Sequence, residues 1–132
     1  MITARNTDKG YQTILSNGEN GILADEPVAE HGTGLGFAPY DLLCSSIAAC
    51  KVMTIRYYAR QKGWTLGDVH AQVEIETERK EQQTITRFRT QLRIEGDHLT
   101  AEQHTQLMRV ADRCPVHRVL SGSITLEESA PF

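Results

Sequence analysis

The stretch YDLLCSSIAACKVMTIRYYARQKGW, residues 40–64, decides how this chain is read. Its apolar residues run too long for a strand, and its ends carry helix signals. Pro39 suits a first helical position, where the N–H it lacks is not needed. Asp41 then falls in the first turn, where the helix dipole favours an anion. Lys62 and Gly63 supply a basic last turn and a glycine stop. Ser45, Ser46, Ala48 and Ala49 are small enough for other elements to approach closely. The segment is therefore expected to be a long, central, largely buried helix. It nevertheless carries two thiols, Cys44 and Cys50, and a lysine directly after the second.

Working outward, the residues before this helix read as strands and turns. Residues 11–16 (YQTILS) suit a short strand, and Asn17-Gly18 and Asn20-Gly21 are turn signals. The glycine-rich AEHGTGLGFAP reads as a loop. Its Gly32-x-Gly34-x-Gly36 lacks the Gly-Lys-Ser/Thr ending of a phosphate loop. After the helix, Val69, Ala71, Val73 and Ile75 alternate with polar residues, as do Phe88, Leu92 and Ile94, so two strands with one buried face are expected, turning near residues 80–83. Arg87, Arg89 and Arg93 form a basic stripe, but Glu74, Glu76 and Glu78 lie on the other strand, and cross-strand ion pairs account for it. Thr100 and Gln103 form a capping box that opens a second helix. A short helical segment follows from Pro115, and residues 123–127 (SITLE) read as a last strand. The order predicts a single α+β domain over residues 1–132.

Composition limits the function classes. At 132 residues, 39% hydrophobic and 23% charged, the chain has the balance of a soluble globular domain. A net charge of −3 argues against nucleic acid or an anionic membrane as partner. The run from Leu42 to Ile55 is broken by two serines and a lysine, too short and too polar to span a bilayer. The polar opening MITARNTDKGYQ shows no secretory signal, so a cytoplasmic location is expected. In that reducing compartment three cysteines are free, catalytic or metal-bound rather than cystines.

Each cysteine has its own setting. Cys50 lies about eleven positions into the helix, beyond the first turn in which the dipole acts. Lys51 points about 100° away around the helix. Activation of Cys50 would need a cation from elsewhere in the fold or from another subunit, and the ordinary reading of a mid-helix cysteine is a small buried hydrophobe. Cys44 reads as core. Cys114 precedes Pro115 and so takes the N-cap of the short helix, a position that stabilises a thiolate, with Arg113 and Arg118 nearby. A plain capping role is the alternative. Cys114-x-x-His117 is half a zinc pattern, but no second closely spaced Cys/His pair exists and no metal is expected. His31, His70, His98 and His104 are candidate bases for a cysteine nucleophile, and spacing singles out none of them.

Taken together, DEPVAEHGTGLGFAPYDLLCSSIAACKVMTIRYYARQKGW and the later ADRCPVHRVL resemble the OsmC/Ohr family, the osmotically inducible protein C and organic hydroperoxide resistance proteins. The resemblance spans essentially the whole chain. Its most specific parts are the proline-led start of the helix, Ala-Ala-Cys at its middle and Cys-Pro-Val downstream. The DEP and glycine-rich segments are closer to the OsmC-like branch.

The resemblance implies antiparallel sheets wrapped around a long central helix in an intertwined homodimer, with sites at the dimer interface. It implies thiol-dependent reduction of organic hydroperoxides. Cys50 would attack the peroxide and become a sulfenic acid, and Cys114 would condense with it to a disulfide. A dithiol reductant of lipoyl or thioredoxin type would reset the pair. No metal or organic cofactor is implied. In the family a glutamate after the helix-opening proline orients an arginine beside the reactive cysteine. Here that position is Tyr40, so Asp41 and Arg5 are the corresponding tuning candidates. A non-catalytic member binding a small apolar or thiol-bearing ligand is the competing expectation.

Overall fold

A computed structural model of the protein describes residues 1–81 and 83–127. The chain forms two compact units, residues 1–45 and 46–132, whose boundary falls inside one continuous helix. Antiparallel sheets and helices make it an α+β fold. No helix among the described residues is long and apolar enough to cross a membrane.

The first unit is a three-stranded antiparallel sheet and the loop that follows it. Strands β1 (Thr3–Asn6), β2 (Thr13–Ser16) and β3 (Gly21–Ala24) lie in that order, with Thr3 opposite Ser16 and Thr13 opposite Ala24. The β2–β3 turn uses the predicted asparagine-glycine chemistry. Asn17 accepts the N–H groups of Glu19 and Asn20 on its side-chain oxygen, and Gly18 takes φ 97°.

Downstream, the glycine-rich segment is packed rather than loose. The carboxylate of Asp25, 2% exposed, accepts N–H bonds from Glu26, Thr33 and Leu35 and a hydroxyl bond from Thr33. Phe37 then bridges back to Ala24. A Cβ on Gly36 would stand 2.5 Å from the Leu23 carbonyl oxygen, so that position requires glycine for close approach.

Helix α1 runs Pro39–Gln61, as the capping signals predict, and Gly63 at φ 67° stops it. Within the second unit its buried face is Ile47, Lys51, Ile55 and Ala59, one row at i, i+4 spacing. Strands β4 (Val69–Lys80) and β5 (Gln83–Ile94) form the expected hairpin, Val69 opposite Ile94 and Lys80 opposite Gln83. Cross-strand ion pairs account for two members of the arginine stripe, Arg87 with Glu78 and Arg89 with Glu76, both diagonal, whereas Arg93 pairs with Glu95 just beyond its own strand.

Helix α2 (Ala101–Val110) begins with the full Thr100–Gln103 capping box. A 3-10 turn (Ala111–Arg113) leads into α3 (Pro115–Leu120). The core of this unit joins Ile55 and Ala59 of α1, Ile94 of β5, Leu107 of α2 and Ala111. Residues 123–127 are not a strand in this structure, contrary to the alternating pattern of SITLE. They find no ladder partner among the described residues, and β-propensity without a neighbouring strand does not make a strand.

Candidate active site

Two of the sequence-predicted site residues come together in the second unit. Cys50, half-buried on α1, and Cys114, completely buried, come near one another: Cys50 shares a pocket lining with Arg113 and Pro115, the two chain neighbours of Cys114, and its thiol acts on the Cys114 thiol. Some sixty residues separate them in sequence. Their meeting follows from the turn at Ala111–Arg113, which reverses the chain after α2 and delivers Cys114 as the N-cap of α3. Pro115 fixes the first helical residue there, and the Cys114 Sγ accepts the His117 backbone N–H at 3.4 Å.

That N-cap geometry is the one the sequence predicts, yet its expected consequence is reversed. Burial pushes the Cys114 thiol above its ordinary range, and the neighbouring Cys50 thiol adds to the rise. The N–H groups of His117 and Val116 pull the other way without prevailing. Cys114 is therefore held as a protonated thiol, and a helix of one and a half turns does not make it the thiolate. Cys44, half-buried rather than fully core, is also raised, by burial first and then by the charge of Asp41.

Cys50 opens onto a cavity of about 580 Å³ lined mainly by Ala49, Met53, Tyr57, Pro115 and Arg113. Ser46 and Thr54 complete a mainly apolar lining, and its one charged group is the Arg113 guanidinium, which is exposed and forms no ion pair among the described residues. Such a pocket admits an apolar molecule to a thiol with one cation close by. The candidate histidines stand apart from this lining. His70 is engaged with Glu95 at 3.1 Å, and only the backbone of His117 reaches Cys114.

Arg5 and Asp41 belong to the other unit. Arg5 is exposed on β1 opposite Ile14, and the Asp41 carboxylate accepts the Ala38 backbone N–H at 3.0 Å, capping the start of α1. Among the described residues, Asp68, His70 and Glu95 lie close enough to share a cation, although Glu95 is already paired with Arg93.

Sequence reasoning missed Lys51. Its side chain is 5% exposed, and its Nζ meets Asp112 Oδ1 at 3.0 Å and donates to the Ala111 carbonyl at 3.5 Å. The signal was present, because Lys51 occupies the i, i+4 row of Ile47, Ile55 and Ala59, where a charge is anomalous. Arg113 was noticed only as a neighbour of Cys114, and its place in the Cys50 pocket depends on the turn.

The chain belongs to the OsmC family: the sequence model of OsmC-like proteins matches residues 32–129. Among solved structures it is similar to an OsmC-like protein from Mycoplasma pneumoniae, with 24% identity, a TM-score of 0.76, and coverage of 92% of this chain and 86% of that one. A protein of Psychrobacter arcticus, named for osmotic stress induction and a detoxification response, shares 21% identity at a TM-score of 0.74, covering 89% and 85% of the two chains. The organic hydroperoxide resistance protein OhrB of Bacillus subtilis shares 19% identity at a TM-score of 0.64, covering 92% and 90%. No curated protein sequence matches the chain.

Proposed function

We propose that this protein is a cysteine-based peroxidase that reduces organic hydroperoxides. The observation that carries the reading is the nearness of Cys50 to Cys114 beside a mainly apolar surface pocket. The Cys50 thiolate attacks the distal peroxide oxygen. An S–O bond forms, the O–O bond breaks, and the leaving alkoxide takes a proton to become the alcohol. Cys50 is then a sulfenic acid. Cys114 sulfur attacks it, an S–S bond forms and water leaves. An external dithiol of lipoyl or thioredoxin type reduces the disulfide by two exchange steps and is itself oxidised.

The reading extends to a cytoplasmic homodimer in which Arg5 and Asp41 tune the site. Met53 and Tyr57 are 68% and 67% exposed, and large apolar side chains left open on a helix support a surface that meets a second copy. The test is consumption of an organic hydroperoxide with a dithiol reductant in excess. Wild type turns over, Cys50→Ser is inactive, and Cys114→Ser stalls after oxidation of Cys50.

A second reading, a non-catalytic protein binding a small apolar or thiol-bearing ligand in the Cys50 pocket, is favoured by one feature. Tyr40 occupies the position where the family's peroxidases carry an acid, and Asp41 is engaged in capping. Wild-type protein that leaves the hydroperoxide unconsumed while both thiols stay reduced would support this reading over the first.

A further inference from the structure

Lys51 poses a physical problem. A lysine in the buried row of α1 must give up most of its hydration, and such a group is tolerated only with close partners. Both partners lie on one short turn: the Ala111 carbonyl at 3.5 Å and the Asp112 carboxylate at 3.0 Å. That turn ends at Cys114. Two consecutive residues of α1 thus face the same stretch of chain, Cys50 beside Arg113 and Pro115, which flank Cys114, and Lys51 at positions 111 and 112.

From this juxtaposition we propose that Lys51 is the positioning residue of the thiol pair, a clamp that keeps the Ala111–Arg113 turn closed and Cys114 buried against Cys50. The clamp is independent of peroxide chemistry, although its use in disulfide formation rests on the function proposed above. Three hydrogen bonds between neutral groups otherwise frame Cys114: its own N–H to Ala111 at 3.4 Å, the Arg118 N–H to its carbonyl at 3.2 Å and the His117 N–H to its Sγ at 3.4 Å. The ammonium bridge is the charge-assisted contact among them, and charge-assisted bonds are the stronger kind.

Lys51→Met separates positioning from general stability. Methionine fits an apolar row and fills similar volume, while the Asp112 side chain, 71% exposed, returns to water instead of being left buried and unpaired. The fold should therefore survive while the turn loosens.

The experiment measures alkylation of Cys114 by iodoacetamide in a Cys50→Ser background, where no disulfide can form. Adding Lys51→Met should raise the rate by about tenfold, in keeping with loss of one charge-assisted bond, with the melting transition still cooperative. Lys51→Arg should bring the rate back toward the parent, and Asp112→Asn, altered from the solvent side, should give an intermediate rise. In the Cys50-containing protein, Lys51→Met should lower the effective concentration of the dithiol by about tenfold, or about 30 mV in reduction potential. An unchanged alkylation rate in both Lys51→Met and Asp112→Asn overturns the clamp. So does a rise that Lys51→Arg leaves in place. If wild type forms no Cys50–Cys114 disulfide with hydroperoxide while the alkylation pattern holds, the peroxidase reading fails and the clamp stands.

Discussion

At the scale of single residues, burial against local polarity decides the site. Cys114 has the N–H groups of a helix start around its sulfur, but its complete burial outweighs them. In a Cys50→Ser variant its alkylation should therefore require a pH above that of an ordinary free thiol, near 8.5. Native protein then gains stability from the neutral thiol below that value and loses it as pH rises further. The opposite sign applies to Asp25. The Thr33 hydroxyl, helped by backbone N–H groups, holds its carboxyl below the ordinary range despite burial. Its contribution is full above about pH 4 and disappears as pH falls through the lowered value. Asp25→Asn should abolish that acid-side dependence in a pH series of unfolding curves. Arg113 is the cation of the Cys50 pocket, so on the proposed peroxidase reading Arg113→Ala should slow peroxide reduction by about tenfold or more, the scale of losing one donor at a developing negative charge. Unaltered steady-state rates would remove Arg113 from the site.

At the scale of elements, the sequence was most readable where local chemistry and packing agree. Pro39, Asp41 and Gly63 mark both ends of α1, and the alternation of Val69 to Ile75 and Phe88 to Ile94 shows the hairpin. Thr100 with Gln103 marks α2, and Thr100→Ala should cost about 1 kcal/mol in denaturant unfolding. Legibility fell where partners distant in sequence decide. Residues 123–127 alternate like a strand but form none here. Residues 29–39 read as a glycine-rich loop, whereas Asp25 and the Leu23 carbonyl fix the path of Thr33 to Gly36 within it. Gly36→Ala should accordingly destabilise by about 1–3 kcal/mol, as overpacking against backbone does. A neutral effect would mean that the segment relaxes more easily than its contacts indicate.

At the scale of the whole molecule, the fold was legible through resemblance, and the site only in part. Cys50 and Cys114 were named from their contexts, but their nearness is a product of the α2–turn–α3 path, which no spacing of sixty residues reveals. Lys51 was visible as a charge in an apolar row and needed Asp112 to acquire meaning. The central claim is that Cys50 and Cys114 act as one redox pair. Its most direct test is a mass-spectrometric peptide map of reduced protein after one equivalent of an organic hydroperoxide, beside a Cys50→Ser control. A Cys50–Cys114 linked peptide should appear rapidly in wild type and not at all in the control. Two free thiols with the hydroperoxide still present would contradict it and leave the α1 thiol lining a binding pocket.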